Sequence, residues 1–347
     1  MHDPGPSTPA TTAPAHAPAY AVVVPTVVRD TLADCLAALA AATGPEPREI
    51  VLVDDRPAPD PADLEHPLAV LSHLRDRTTV LYGHGHGPSA ARNTGLRAVA
   101  SPWVVFLDDD VQVGPHWCEQ LAEDLRAADP DTAAVQGVID VPLPGARPPT
   151  DWERDTVARA RARWSTADMA YRTDALKQVH GFDERFRRSH RDGTDLALRL
   201  LDDRRRIRQG RRSARHPVHR ADRWASVRAQ RGHADDALML RLHGPGWWHK
   251  AVAPRGPIRA HLAVTATGAA ACALAVTRHR GPALAAGLVW AVGTAEYARA
   301  RILPGPRTRD EVTTVVVTSA LIPPTATWHW LSGLWRHRRA PAWQEVA

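Results

Sequence analysis

The sequence contains only three cysteines, Cys35, Cys118 and Cys272, and they are widely spaced. Because no C-x-x-C pair exists, the pattern supports neither a zinc knuckle nor a framework of disulfides. So little cysteine is typical of a protein from a reducing compartment. The chain is therefore expected to fold around its own apolar core, which 347 residues with a hydrophobic fraction of 44% can supply.

Lysine and arginine are absent from the first 19 positions, which contain five prolines. A secretory signal needs a basic start and an unbroken apolar stretch, and residues 1–19 have neither. We predict that residues 1–19 form a disordered leader rich in proline and alanine.

Glycine is absent from the stretch around the end of the first apolar run, VVVPTVVRD (residues 22–30). This absence argues against a nucleotidyltransferase, in which a glycine-rich loop usually follows the first strand. A glycine-rich turn comes later, in GHGHGPSAARN (residues 83–93), and matches the dinucleotide fingerprint only formally, because that fingerprint belongs to the first strand–helix unit. The exposed N–H groups of such a turn, together with Arg92, suit a phosphate group.

Positive charge is concentrated in residues 204–215, RRRIRQGRRSAR, which contain seven arginines. Such a run fits the phosphates of a nucleotide, a nucleic acid or lipid headgroups, and it equally fits a solvated basic face. No module with interleaved aromatic residues accompanies it, so we predict no specific nucleic-acid partner.

Apolar runs at residues 20–26, 49–55, 79–82 and 103–107 alternate with stretches of helical periodicity. Strands that are apolar throughout and separated by helices are typical of a parallel sheet with helices on both faces. The sequence therefore predicts an α/β fold with a mostly parallel, Rossmann-like sheet.

Acidic and turn residues fall at the ends of three of these strands, at Pro25–Thr26, Asp54–Asp55 and Asp108–Asp110. Ligands of parallel sheets bind beyond the carboxyl ends of the strands, so these groups are expected to share one crevice. Three adjacent carboxylates repel one another, and one acid alone would suit a helix cap. Several acids in a crevice fit a divalent cation that steadies a diphosphate.

The order of these motifs resembles that of family 2 glycosyltransferases of the GT-A fold. The likeness covers roughly residues 20–220 and is carried by VVVPT, IVLVDD, GPSAARNTGLRA, WVVFLDDDV, STADMAYRTDAL, GFDERF and RDGTDLALRL. The resemblance implies a nucleotide-sugar-binding α/β domain with a divalent cation, and a transfer that inverts the anomeric centre.

The resemblance also implies site residues. The donor-binding residues would be Pro25, Thr26, Asp54, Asp55, Arg92, Asn93, Asp108 and Asp109. The metal would be held by the D-x-D pair Asp108 and Asp110, with Asp110 the more direct ligand, and by a histidine of ARHPVHRADRW (residues 214–224). We favour His216 over His219 for this third position. Asp109, in the variable middle position, would contact ribose or face solvent. The acceptor-binding residues would be Asp168, Asp183 and Glu184.

The general base is expected at the start of the helix in RDGTDLALRL, where members of the family usually carry Glu-Asp. This chain has Gly193 in place of the second acid. Asp192 could act from one position earlier, because glycine allows unusual backbone angles. Asp195 is the alternative, Asp168 is a more distant one, and loss of activity is a further possible reading.

The last third of the chain contains three uncharged stretches: residues 262–277, the run GPALAAGLVWAVGTA (residues 281–295), and residues 312–335 with Pro323–Pro324 inside. Each is near the lower length limit for a membrane-spanning helix and is rich in alanine. We predict a helical C-terminal region that associates with a membrane, as spanning helices or as an interfacial or re-entrant hairpin. A soluble alanine-rich hairpin is the alternative.

The sequence thus predicts a GT-A domain over residues 20–240, with a donor half (20–140) and an acceptor half (150–240), followed by the helical region 241–347. The expected activity is a metal-dependent (Mg²⁺ or Mn²⁺), inverting transfer from a nucleotide-diphosphate-sugar donor to a glycan or lipid-linked acceptor in cell-envelope synthesis. The catalytic domain is expected in the cytoplasm, at the cytoplasmic face of the cell membrane. A catalytically degenerate sugar-nucleotide-binding scaffold is the second hypothesis.

Overall fold

The computed structural model describes residues 18–343, in which one sheet of eight strands forms the centre of the molecule. The strands are β1 (Tyr20–Thr26), β2 (Glu49–Asp54), β3 (Thr78–Tyr82), β4 (Trp103–Leu107), β5 (Gln112–Val113), β6 (Thr132–Asp140), β7 (Asp168–Arg172) and β8 (Arg206–Arg215). They lie side by side in the order β3-β2-β1-β4-β7-β6-β8-β5.

The first half of the sheet is parallel: β1 pairs with β2 and β4, and β2 pairs with β3. β7 then runs antiparallel to both β4 and β6, while β8 is parallel to β6 and antiparallel to β5. The predicted α/β class is confirmed, with a parallel donor half and a mixed second half. Because β1, β2 and β4 point the same way, their carboxyl ends meet at one edge.

Helices pack on both faces of this sheet, as predicted. They are α1 (Leu32–Ala41), α2 (Glu65–Ala69), α3 (Pro88–Ala98), α4 (Trp117–Arg126), α5 (Asp151–Ala160), α6 (Thr173–Gln178), α7 (Asp192–Asp202), α8 (Ala225–Ala229), α9 (His233–His243), α10 (Trp247–Lys250), α11 (Ile258–Val276), α12 (Arg280–Ile302) and α13 (Arg309–Arg336). One buried cluster joins α1, α2 and α4 to the sheet, and another joins α3, α6, α7 and α9 to it. Side chains of β1 alternate between the two clusters, so both faces of the sheet are apolar.

The arginine-rich run proves to be a strand inside the sheet. Most of β8 is exposed, but Arg212 is fully buried and pairs with Asp124 at 3.2 Å and Asp168 at 2.8 Å. A buried guanidinium is tolerated only with such partners. Neither a phosphate-binding role nor a solvated role therefore applies to Arg212.

The C-terminal region is helical, as predicted, and consists of α11, α12 and α13. Within residues 18–343, α11 is the one helix long and apolar enough to cross a membrane. The third uncharged stretch is not interrupted, because α13 continues through Pro323 and Pro324. Ile322 and Ala326 on either side are buried against the rest of the molecule, and this packing holds the helix through the two prolines.

Arg301, near the end of α12, fastens the C-terminal helices to the catalytic half. Its guanidinium donates to Asp151 of α5 at 2.6 Å and to the hydroxyls of Thr318 and Ser319 in α13 at 3.0 and 2.9 Å. Most of the predicted leader, residues 1–17, lies outside the described residues, as do residues 344–347.

Candidate functional site

The carboxyl ends of β1, β2 and β4 border a crevice of about 690 Å³. Eight of the predicted donor and metal residues line it: Pro25, Thr26, Asp55, Arg92, Asp108, Asp109, Asp110 and His216. His216 and His219, which follow β8, lie on its far wall. The sheet edge therefore collects polar groups from five separate segments, as the strand pattern predicts.

Asp55 holds the glycine-rich turn against this edge. Its carboxylate accepts hydrogen bonds from the backbone N–H groups of His86 at 3.1 Å and Gly87 at 2.8 Å. Gly87 has a φ of 97°, and a Cβ there would lie 2.9 Å from the carbonyl oxygen of Arg187, so only glycine fits.

Asp54, next to it, is fully buried outside the crevice and pairs with Arg56 at 2.7 Å. Successive residues of a strand face opposite sides, so only one of the two acids can line the site. Asp54 thus does not line the crevice, whereas Asp55 does.

Asp109 lines the crevice with a buried carboxylate. Its carboxylate is 1% exposed, accepts a hydrogen bond of 2.6 Å from the hydroxyl of Thr26, and forms an ion pair with Arg29. Burial raises the pKa of Asp109 even though Arg29 and Thr26 oppose this shift. Asp109 thus does not face solvent; it ties the end of β4 to the end of β1.

Asp110 is the aspartate with spare ligand capacity. His219 Nε2 lies 3.1 Å from Oδ2 and His216 Nε2 lies 3.5 Å from Oδ1, yet Oδ1 accepts no hydrogen bond although it is buried. Nδ1 of His216 is also buried without a hydrogen-bond partner. In residues 18–343 no group of three His, Cys, Asp or Glu side chains is arranged to hold a metal by itself.

Asp108 is connected to the start of α7 through Arg92. The guanidinium of Arg92 is 1% exposed and donates to Asp108 Oδ1 and to Asp192 Oδ2, both at 2.7 Å. The ring of Phe182 packs against it, 5.5 Å from the guanidinium carbon. Arg92 therefore links Asp108, at the end of β4, to Asp192, the first residue of α7.

Asn93 lies outside the crevice, contrary to the prediction. Its side chain is buried and exchanges hydrogen bonds of 2.8 and 2.9 Å with the backbone of Phe182, and it also donates to Glu184. Asp183 and Glu184 line another cavity, beside α13, and Asp183 pairs with Arg185. Asn93 and Glu184 fasten the HGFDERF turn to α3, while Asp183 pairs within the turn, so none of the three lines the crevice.

Asp192 lies on the wall of a second cavity of about 480 Å³. This cavity and the crevice share Arg159, Ser165 and Ser189 as lining residues, so the two spaces adjoin. Burial raises the pKa of Asp192 above its ordinary value, although Arg92 opposes the shift. A carboxylate with a raised pKa beside a cavity is suited to accept a proton.

Gly193 leaves no space for the acid that the family resemblance implies at this position. A Cβ on Gly193 would lie 2.4 Å from the carbonyl oxygen of Trp164 and 2.9 Å from Cγ2 of Thr166. Arg191, on the other side of Asp192, has a left-handed backbone with a φ of 67°. Asp192 is therefore the acid that the start of α7 presents to the cavity.

Asp195, the alternative base, lies away from both spaces. It is 1% exposed and lines neither the crevice nor the second cavity, and its carboxylate pairs with Arg199 and His243, both at 2.8 Å. Burial alone would raise the pKa of Asp195, but Arg199 and His243 hold it below its ordinary value. A carboxylate so stabilised in its charged form is structural.

Asp168, predicted to contact an acceptor, is held by partners inside the core. The side chain is fully buried, receives a hydrogen bond of 2.9 Å from Trp117 Nε1, and pairs with Arg212 at 2.8 Å. These partners are 51 and 44 residues away in sequence, so no local motif could have announced them.

Several residues around the two spaces were not predicted. Arg29 and Arg188 line the crevice, and Tyr297 and Arg301 of α12 line the second cavity. Arg29 follows the first strand end closely, and this position was the one available signal. Nothing in the sequence indicates that α12 lines the second cavity, because this depends on how the C-terminal helices pack against the sheet domain.

Comparison with known proteins agrees with this geometry. Residues 21–184 match the family model described as Glycosyl transferase family 2. Pre-mycofactocin glycosyltransferases from Mycobacterium tuberculosis strains CDC 1551 / Oshkosh and ATCC 25618 / H37Rv are 30% identical over 172 residues, covering 46% of this chain and 35% of theirs. The chain thus spans about a third of the length of these curated relatives.

Among solved structures, the mannosyltransferase PcManGT from Pyrobaculum calidifontis, in complex with GDP-Man and Mn²⁺, superposes with a TM-score of 0.56. The match covers 93% of this chain and 89% of the mannosyltransferase, at 20% sequence identity, and shows a shared fold. Residues 21–184 therefore form a domain that is similar to glycosyl transferase family 2, on the α/β fold that the motifs predict.

Proposed function

We propose that this chain transfers a sugar from a nucleoside-diphosphate sugar in the crevice to a hydroxyl group of an acceptor in the second cavity. The observation that carries this proposal is that the two spaces adjoin at Arg159, Ser165 and Ser189. The strand-end aspartates lie on one side of this junction and Asp192 lies on the other. A donor and an acceptor held there would meet between the two acidic groups.

The donor side is assigned to the wall formed by Pro25, Thr26 and Asp55, which is where a nucleoside would lie. Thr26 is fixed by its hydrogen bond to Asp109, and Asp55 is fixed by two backbone N–H groups. Arg188, which lines the same crevice, supplies a positive charge for a diphosphate.

We propose Mg²⁺ or Mn²⁺ as the cofactor, held by Asp110 with His216 or His219. Such cations commonly bind one or two carboxylates together with substrate phosphates, and the buried Oδ1 of Asp110 that accepts no hydrogen bond fits this use. When bound, the cation would neutralise charge on the leaving diphosphate. The mannosyltransferase neighbour was solved with GDP-Man and Mn²⁺, which supports ligands of this class.

Asp192 is proposed as the general base. It would take the proton of the acceptor hydroxyl while the hydroxyl oxygen bonds to the anomeric carbon and the bond from that carbon to the diphosphate breaks. Attack from the face opposite the diphosphate inverts the anomeric centre. Arg92 holds the Asp192 carboxylate in place at 2.7 Å, and general-base assistance contributes about 10²–10⁴-fold to such reactions.

The acceptor cavity has walls from both parts of the chain. Trp164 and Asp192 belong to the catalytic half, while Tyr297, Arg301 and Ile322 belong to the C-terminal helices. We propose a glycan or lipid-linked acceptor, in cell-envelope synthesis, handled at the cytoplasmic face of the membrane. The support for this location is the apolar helix α11, whose first residues lie beside the same cavity.

A second candidate is a sugar-nucleotide-binding protein without transferase activity. The observation that favours it is Gly193, which takes the place of the usual acid and has no space for a side chain. This candidate keeps the donor crevice and differs only in turnover.

Calorimetric titration of UDP, GDP, ADP, CDP and dTDP into the full chain, with and without Mn²⁺, tests the donor site. We expect one nucleoside diphosphate to bind best, with an affinity that depends on Mn²⁺ in the native chain and not in Asp110→Asn. Asp131→Asn, a surface substitution on the far end of β6, is the control and should bind like the native chain. The absence of binding by all five would overturn the proposal.

A further inference from the structure

The helices α11 and α12 form a hairpin that leaves most of its side chains at least partly exposed. Of residues 262–297, all of which the structure describes, none is buried. Both helices are anchored at the base of the hairpin, because His261 near the start of α11 and Ala298 near the end of α12 are buried. The two helices pack against each other and against α13, where the hydroxyls of Thr265 and Thr327 share a hydrogen bond of 3.1 Å.

In a water-soluble helix pair the large apolar side chains lie between the helices. In this hairpin they face outward, and small residues lie between the helices. Gly268 faces Trp290 and Gly293 faces Val264 so closely that a Cβ would lie 2.8 and 2.9 Å from them. The large apolar side chains instead point outward: Val276, Leu284, Leu288, Val289 and Val292 are 57–83% exposed. Small residues between helices and large apolar residues outside are typical of helix packing in a bilayer.

Two soluble explanations for an apolar helix do not apply to α11. The core helix of a soluble protein is mostly buried, whereas only 6% of the apolar window of α11 is buried. A signal sequence lies near the N-terminus, whereas α11 begins at Ile258. Exposing the outward leucine and valine side chains of these two helices to water is unfavourable, and a large exposed apolar surface marks a site of interaction.

Charge along the chain matches an anionic lipid surface. Residues 237–295 contain no aspartate or glutamate. From residue 251 to residue 295 the arginines lie only at the two ends of the hairpin, with Arg255 and Arg259 at the base and Arg278 and Arg280 at the tip. Arginines at both ends of a charge-free segment suit the headgroup regions, where they are stable and attract anionic lipids.

We propose that the α11–α12 hairpin inserts end-on into an anionic lipid bilayer and anchors the catalytic domain there. A hairpin lying flat in the interface needs a charged face, and neither residues 262–277 nor residues 281–295 carry a charge on any face. The charge-free part of α11 is about 24 Å long, against about 30 Å for the hydrocarbon core, so the arginines at the tip reach the distal headgroups by extending their side chains. The inference rests on the proposed membrane location and not on the proposed chemistry.

Cys272 provides a native probe of this insertion. It is exposed on α11 close to the tip, whereas Cys35 and Cys118 are buried, so a thiol-reactive NBD dye should label the full chain at Cys272 alone. The labelled chain would be reconstituted with vesicles of phosphatidylcholine and phosphatidylglycerol that carry nitroxide quenchers either on the headgroup or deep in the acyl chain. We expect the acyl-chain nitroxide to quench at least twice as strongly as the headgroup nitroxide.

The matched control carries the dye on the catalytic domain, in Cys272→Ser/Asp76→Cys. Asp76 is exposed and far from the hairpin in sequence, so neither nitroxide should quench the dye there. Stronger quenching of Cys272 by the headgroup nitroxide would overturn end-on insertion in favour of a flat hairpin. If the NBD fluorescence changes with protein concentration and not with added vesicles, the hairpin binds a second copy of the chain, and insertion into a bilayer is wrong.

Leu288→Asp provides a second test, because Leu288 is 66% exposed and its replacement should not change the melting temperature in the absence of lipid. A charge at the centre of a bilayer-inserted helix is costly, so vesicle partitioning should fall at least about tenfold. Unchanged partitioning of Leu288→Asp would contradict insertion. Calorimetry with nucleoside diphosphates on the same samples keeps a failure of the anchor distinct from a failure of the donor site.

Discussion

The guanidinium of Arg92 donates a hydrogen bond of 2.7 Å to the carboxylate of Asp192, 100 residues further along the chain. The same guanidinium holds Asp108 at 2.7 Å, so one buried cation connects the strand-end acids to the proposed base. The resemblance implies a donor contact for Arg92, but both of its terminal nitrogens donate to carboxylates. We therefore propose that Arg92 positions Asp192.

Arg92→Lys is expected to uncouple these two acids. Lysine is a point charge that cannot bridge two carboxylates as the planar guanidinium does, so one of them is left without its buried partner. We expect a loss of about 2–4 kcal/mol in the free energy of unfolding, measured by urea denaturation. Turnover should fall more than donor affinity does. Equal turnover in Arg92→Lys and the native chain would show that Asp192 is positioned by other groups.

Asp192→Asn is expected to lower kcat by about 10²–10⁴-fold, because the amide cannot take a proton from the acceptor. Donor affinity should stay within a fewfold of the native value, since Asp192 does not line the donor crevice. Asp195→Asn is the comparison: it breaks the pairs with Arg199 and His243, so it should lower stability first. Steady-state kinetics and urea denaturation on both variants separate the two roles. Full activity in Asp192→Asn would remove it as the base.

Gly193→Ala is expected to be destabilising even though alanine favours helices. Its Cβ would lie 2.4 Å from the carbonyl oxygen of Trp164, so the start of α7 must shift. Overpacking of this kind costs about 1–3 kcal/mol, which chemical denaturation would detect. Gly145→Ala is a control, because a Cβ there meets nothing within 4 Å. A Gly193→Ala variant as stable as the native chain would show that the backbone tolerates an acid at this position.

Asp235 and Asp236 are expected to give opposite pH dependences of stability. Burial raises the pKa of Asp235 from 3.8 to about 6, so the folded state binds a proton that the unfolded chain has released. The free energy of unfolding should therefore fall as pH rises from about 4 to 6, by on the order of 1–3 kcal/mol. Asp235→Asn should flatten this decline in urea titrations.

For Asp236, burial alone would raise the pKa, but His190, His233 and Arg191 lower it well below its ordinary value. Its contribution to stability is present above the unfolded-state pKa and is lost as pH falls below about 4. Asp236→Asn should therefore flatten the acid side of the stability profile. Identical profiles for both variants would contradict the assigned directions.

Much of the donor half was predictable, because strand ends in a parallel sheet follow from the alternation of apolar runs and helical stretches. Which of two adjacent acids faces the crevice was not predictable. Asp54 and Asp55 differ by one position, and the direction of each side chain depends on register and on partners such as Arg56 and Gly87.

Partners distant in sequence explain why other predicted residues lie away from the crevice. Asp168 was predicted to contact an acceptor, yet Arg212 pairs with it from β8. Asn93 looked like a donor ligand, yet it fastens the turn at Phe182. Pattern reasoning has access to spacing within one element and not to contacts that only tertiary packing creates.

The most direct test of the account is release of nucleoside diphosphate from a panel of UDP-, GDP-, ADP-, CDP- and dTDP-sugars, incubated with the full chain and Mn²⁺. The account predicts release from at least one donor, by hydrolysis or by transfer to added membrane extract. That release should be abolished by EDTA and lowered at least about 100-fold in Asp110→Asn. Release that is equal in the native chain and in Asp110→Asn, or no release from any donor, would contradict it.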